Sequence, residues 1–136
     1  MILESAIMCL ALNVYWESRG EPTSGQHAVA QVTLNRADWN NEKVCEVVLK
    51  RKQFSWTNGL VAKRGGHSYL KKAGLPTDLM AWLKSYEVAK ANLQRQAPMV
   101  VGRKVDHYHA TRVQPSWSVA FVPVKQIGAH IFYKQS

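Results

Sequence analysis

ILESAIMCLALNVYWE, residues 2–17, is apolar on nearly every face, and its reading decides how the chain is organised. Only Glu4, Ser5 and Asn13 break the run before Glu17. A helix without a polar side belongs at the centre of a domain, with other elements wrapped around it. Ser18, Arg19 and Gly20 then end it; Gly20 is the expected left-handed cap, and Pro22 prevents continuation. A carboxylate, Glu17, is thereby left in the last turn of a buried helix.

Outward from this helix, the spacing predicts a second one over residues 25–37, started by Thr23 or Ser24. Ala28, Val29 and Val32 form one apolar row, and Ala30, Leu34 and Ala37 a second, so it too is expected to be buried on more than one side. A short helix is expected over 43–50. Residues 53–76, with Gly59, Gly65, Gly66, Gly74 and Pro76, read mostly as loop. Thr77 is the expected cap of a helix over 77–95, with Leu79, Trp82, Leu83, Tyr86 and Ala89 as its inward stripe. VDHYHAT (105–111) and IGAHIFYK (127–134) alternate as strands do. Helices followed by a small strand region in the C-terminal third make an α+β, mainly α, single domain over residues 1–136.

The 136 residues are 46% hydrophobic and 20% charged, which places the chain among folded globular proteins. Its formal net charge of +9 predicts an anionic partner: nucleic acid, an acidic membrane surface, or bacterial cell wall. From Val47 to Thr77 there is no acid but seven basic residues, Lys50, Arg51, Lys52, Lys63, Arg64, Lys71 and Lys72, which suggests one positive face. No zinc-finger, helix-turn-helix, RNP-like or arginine-rich motif supports a nucleic-acid-binding module, the alternative that would also explain the charge. The N-terminal apolar stretch lacks a basic leader, carries Glu4, and falls short of the roughly 20 residues that span a bilayer, so neither a signal peptide nor a membrane-spanning helix is expected. Cys9 and Cys45 are too few for a disulfide scaffold; they can pair with each other or be two buried thiols.

Desolvation and the negative end of the helix dipole both push the Glu17 carboxyl towards its neutral form, unless Arg19 pairs with it. A carboxylic acid kept protonated near neutral pH can protonate a glycosidic oxygen.

NVYWESRGEP (13–22), SGQHAVAQVTLNR (24–36), QFSW (53–56), HYHA (107–110), a Trp, and IGAHIFYK together resemble, in order, the SleB-type cell-wall hydrolases. That family includes spore-cortex-lytic enzymes and phage proteins, and the resemblance runs from about Cys9 to Lys134. It implies a lysozyme-like fold that cuts the β-1,4 bond between N-acetylmuramic acid and N-acetylglucosamine in peptidoglycan. Glu17 matches the first acid of the family's E-[AS]-R-G-E motif and so takes the catalytic role. Glu21, the second acid, is either a partner carboxylate or, the preferred reading, a residue that ties down a loop.

A hydrolytic muramidase needs a second carboxylate, for which Asp38 and Asp106 are further candidates without distinguishing spacing. A lytic transglycosylase, the route the resemblance favours, needs only one acid and leaves 1,6-anhydro-muramic ends. Gln53 and Ser55 can hydrogen-bond sugar, and Trp56 can stack on a sugar face. The loop lacks the cysteine that many relatives carry beside this motif. His107 and His109 share a strand face, with Tyr108 opposite. A zinc site completed by Asp106 or His130 is the weaker reading; the preferred one has Tyr108, His109 and Trp117 lining a saccharide groove without metal or cofactor. His130 reads as structural, and Tyr133 points into the site or closes the core. With no wall-binding repeat, the expectation is a monomeric enzyme, such as a phage lysin made in the host cytoplasm and released through a holin, or one carried on the virion.

Overall fold

The structure is a computed structural model and describes residues 1–50 and 53–136, so Arg51 and Lys52 of the basic stretch lie outside the described residues. The central helix, α1 (Ala6–Ser18), is buried over Cys9–Tyr15. It starts later than the apolar run suggests. Ser5 caps it by accepting a hydrogen bond from the Met8 amide at 3.2 Å. Residues ahead of Ser5 are extended instead: Ile2 bridges Tyr69, and the Leu3 amide donates to the Ser68 carbonyl at 2.8 Å.

Helix α2 (Thr23–Arg36) is buried over Gln26 and Ala28–Leu34, as its two apolar rows require. With α3 (Val44–Leu49) and α5 (Leu79–Leu93) it encloses α1. A disulfide between Cys9 and Cys45, with Cα atoms 5.3 Å apart, staples α1 to α3. Gln31, fully buried in α2, donates to Asn92 Oδ1 on α5 and to the Pro98 carbonyl, and accepts from the Val100 amide. One amide thus fixes the strand region against the helices.

The expected loop over 53–76 is structured. It holds α4 (Ser55–Leu60) and an antiparallel hairpin of β1 (Val61–Arg64) and β2 (His67–Leu70), turned by Gly65 and Gly66, both at positive φ. The strands are short and polar, so their alternation is hidden. Gly20 is not in the left-handed region; α1 ends instead on Arg19, whose amide bonds the Tyr15 carbonyl at 3.2 Å. Asp78 rather than Thr77 caps α5, accepting from the Ala81 amide at 3.1 Å. The buried face of α5 runs through Ser85, Val88, Ala89 and Asn92; Leu79 and Leu83 lie off it, 65% and 50% exposed, because small and polar residues rather than the leucines face α1 and α2.

The C-terminal sheet is antiparallel in the order β3 (Val105–Ala110), β5 (His130–Lys134), β4 (Val122–Ile127). Strand β4 is unforeseen because Pro123 and a bulge interrupt it, both tolerated at a sheet edge. β3 packs on α2, which brings the sheet to the end of α1 where Glu17 stands. Among the described residues no helix is long and apolar enough to cross a membrane.

Candidate active site

Five pieces of chain meet around a cavity of about 230 Å³. Glu17 comes from the last turn of α1, Arg36 from the end of α2, and Gln53 and Phe54 from the segment before α4. His107 and Tyr108 come from β3, and Trp117 from a single 3-10 turn after it. Glu17 is the only carboxylate lining this cavity among the described residues.

The Tyr108 hydroxyl donates to Glu17 Oε1 at 2.7 Å. Burial raises the Glu17 pKa above the usual carboxylate value, and the hydrogen bond from Tyr108 opposes this only in part. Arg19 does not pair with Glu17. Its guanidinium lies over the rings of Tyr15 and Trp16, 4.6 and 4.9 Å from their centroids. With Oε1 taken by Tyr108, Oε2 is the oxygen placed to carry a proton.

Burial pushes the Tyr108 hydroxyl well above its ordinary pKa, and the Glu17 charge adds to this. Tyr108 is therefore a fixed donor at neutral pH. Its ring packs between Phe54, His130 and Phe132, with centroids 6.5, 5.3 and 5.5 Å away. Beneath the site, Asn13 accepts from the Trp56 indole N–H at 2.8 Å and donates to Thr33 Oγ1 at 3.2 Å. A fully buried amide in an otherwise apolar helix was the signal for this network in the sequence, since such a group needs partners.

Of the residues proposed from sequence, Glu17, Gln53, Tyr108 and Trp117 line the one cavity. Trp56 does not: it is 9% exposed, packed in the core and bonded to Asn13, so it offers no face to a sugar. Ser55 is exposed at the start of α4 and does not line the cavity either. His109 and Tyr133 are buried and stack on each other, with His109 Nε2 2.8 Å from the Tyr133 hydroxyl. Trp117 stands edge-on to Tyr133 at 5.2 Å, so this pair buttresses the Trp117 wall. Arg36 and Phe54 were missed; both lie within the quoted motifs, as the last residue of SGQHAVAQVTLNR and the Phe of QFSW, but only the folded chain brings them to Glu17. Among the described residues no three His, Cys, Asp or Glu side chains converge as a metal site.

The other acids are occupied elsewhere. Asp106 is held by His107 Nδ1 at 3.0 Å and Gln135 Nε2 at 2.7 Å. Asp38 is exposed in a turn with φ +53°. Glu21 accepts from the Ala129 amide at 2.7 Å and lies 3.4 Å from His130 Nδ1, tying the end of α1 to the β4–β5 turn. That turn needs Gly128: its φ is +55°, and a Cβ there would lie 2.5 Å from Glu21 Oε1 and 2.9 Å from Pro22 Cδ. Gly128→Ala is expected to cost about 1–3 kcal/mol. Urea denaturation checks this; an unchanged midpoint would mean that the turn relaxes freely.

The "Cell Wall Hydrolase" family model matches residues 20–133, beginning just after Glu17. No curated protein matches the chain. Two solved structures do. One is the catalytic domain of the germination-specific lytic transglycosylase SleB from Bacillus anthracis, 27% identical, with a TM-score of 0.67 over 95% of this chain and 93% of that one. The other is the catalytic domain of the Bacillus cereus SleB protein, 29% identical, with a TM-score of 0.66 over 95% of this chain and 89% of that one.

Proposed function

The chain belongs to the cell wall hydrolase family, and on that footing we propose that it is a peptidoglycan lytic transglycosylase with Glu17 as general acid and base. The observation that carries this reading is a buried, neutral-leaning carboxyl standing alone among acids in its cavity.

The bond cleaved joins C1 of N-acetylmuramic acid to O4 of N-acetylglucosamine. Glu17 gives its proton to O4 as the C1–O4 bond breaks. The resulting carboxylate, again next to the Tyr108 donor, takes the proton from the muramic 6-hydroxyl while O6 bonds to C1. The product is a 1,6-anhydro ring, no water is consumed, and Glu17 returns protonated. A hydrolytic route would need a second carboxylate to activate water, and Glu21, Asp38 and Asp106 are all engaged or turned elsewhere. Trp117 and Gln53 supply a ring face and an amide for the sugar.

The Cys9–Cys45 bridge supports work outside the reducing cytoplasm, in the wall space itself. Incubation with purified sacculi should release soluble fragments; sacculi left intact would contradict the proposal.

Tyr108 acts as a positioning residue. Its hydrogen bond favours the Glu17 carboxylate over the acid, so Tyr108→Phe should raise the Glu17 pKa further. The alkaline limb of the kcat–pH profile then moves to higher pH, and kcat falls about ten-fold. A lower kcat with an unmoved limb would show that Tyr108 only supports the fold.

A further inference from the structure

Beside the Glu17 cavity lies a larger one, about 530 Å³, and Arg36 and His107 form walls of both. The reaction described above uses nothing in it. Arg36, Arg103, Lys104 and Lys134 bring four positive side chains to its lining, against the single acidic side chain of Asp106. Asp106 is held by His107 and Gln135; its charge acts on Arg36, but one carboxylate against four cations leaves the lining positive.

The wall of this cavity is built rather than loose. Asn35 Nδ2 donates to the carbonyls of Gly102 and Val105 at 3.0 and 2.7 Å, fixing the segment that carries Arg103 and Lys104. The Trp39 indole donates to Asn35 Oδ1 at 2.7 Å, and the Arg103 guanidinium lies 4.5 Å from a Trp39 ring centroid. Arg103 is thus held by an aromatic face, with its charge unneutralised.

We propose that this second cavity is a carboxylate-binding subsite for the peptide stem of the substrate. The inference rests on the peptidoglycan reading of the Glu17 site. The sugar rings of the glycan are neutral, whereas each stem, attached at the muramic lactyl group, carries free carboxylates. A muramic residue with its C1 at Glu17 bears its stem on C3 of the same ring, and the cavity that shares walls with the Glu17 site is the one ringed by cations. Charge-assisted contacts there favour stem-bearing glycan over bare glycan.

The test uses teichoic-acid-free sacculi in two forms, intact and stripped of stems by an amidase, with the freed lactyl carboxylates of the stripped form capped as methylamides, so that the stems are the only difference in charge. The parent should cleave stem-bearing glycan with a kcat/KM about ten-fold above that for bare glycan. In the double variant R103S/K104S the ratio should fall towards one. The control K84S/K90S, which removes the same charge on α5, should keep the parent's ratio; loss of the preference there too would mean diffuse attraction and overturn the subsite. Equal cleavage of both substrates by the parent, or faster cleavage of bare glycan, would overturn it while leaving the Glu17 reading intact. Cleavage of neither would bring down the Glu17 reading and this inference with it.

Discussion

Glu17→Gln is expected to slow release of fragments from purified peptidoglycan by about a thousand-fold, the range that loss of a general acid produces. Gln keeps the shape and the acceptor that Tyr108 binds, so the fold should survive and the lost group is the proton alone. The same substitution should stabilise the protein near neutral pH. The Glu17 pKa is raised in the folded state, so the native protein holds a proton that the unfolded chain releases. Stability from this group is therefore full below the ordinary carboxylate pKa and is lost as pH rises through the folded one. Glu17→Gln removes that loss. Its melting temperature should exceed the parent's at pH 7, and the gap should close in acid. A variant that is inactive and also less stable at pH 7 would point to a structural role instead. A variant as active as the parent would remove Glu17 from the chemistry.

The second large effect concerns the Cys9–Cys45 bridge. It closes a loop with a sequence separation of 36 between the central helix and α3. Replacing both cysteines with Ala should cost about 3–4 kcal/mol on the loop-entropy estimate, read as a lower urea midpoint. The parent treated with a reductant should fall to the same stability. Thiol titration of the denatured, unreduced parent should find no free thiol; two would show that the helices are joined by packing only.

Much of this site was legible before folding. Glu17 announced itself as a charge at the end of an apolar run, and the rows of α2 marked a helix buried on two sides. The unresolved choice about Arg19 was settled by geometry, because its guanidinium stacks on Tyr15 and Trp16. Trp56 misled because an indole beside polar residues suits a sugar platform and a core position equally. Its partner Asn13 lies on another helix, and only that contact decides between them. The β1–β2 hairpin was hidden by polar strands, although Gly65-Gly66 is a hairpin turn signal. The cations gathered beside the site, Arg36, Arg103, Lys104 and Lys134, are scattered in sequence. Lys63 and Arg64 of the acid-free stretch sit on β1 instead. Charge density along a chain does not report which side chains meet.

The central claim is that one buried acid cuts the glycan without water. Digestion of purified peptidoglycan in heavy-oxygen water, followed by mass spectrometry of the muramic ends, tests it most directly. The account predicts 1,6-anhydro ends free of the label. Reducing muramic ends carrying heavy oxygen at C1 would contradict it.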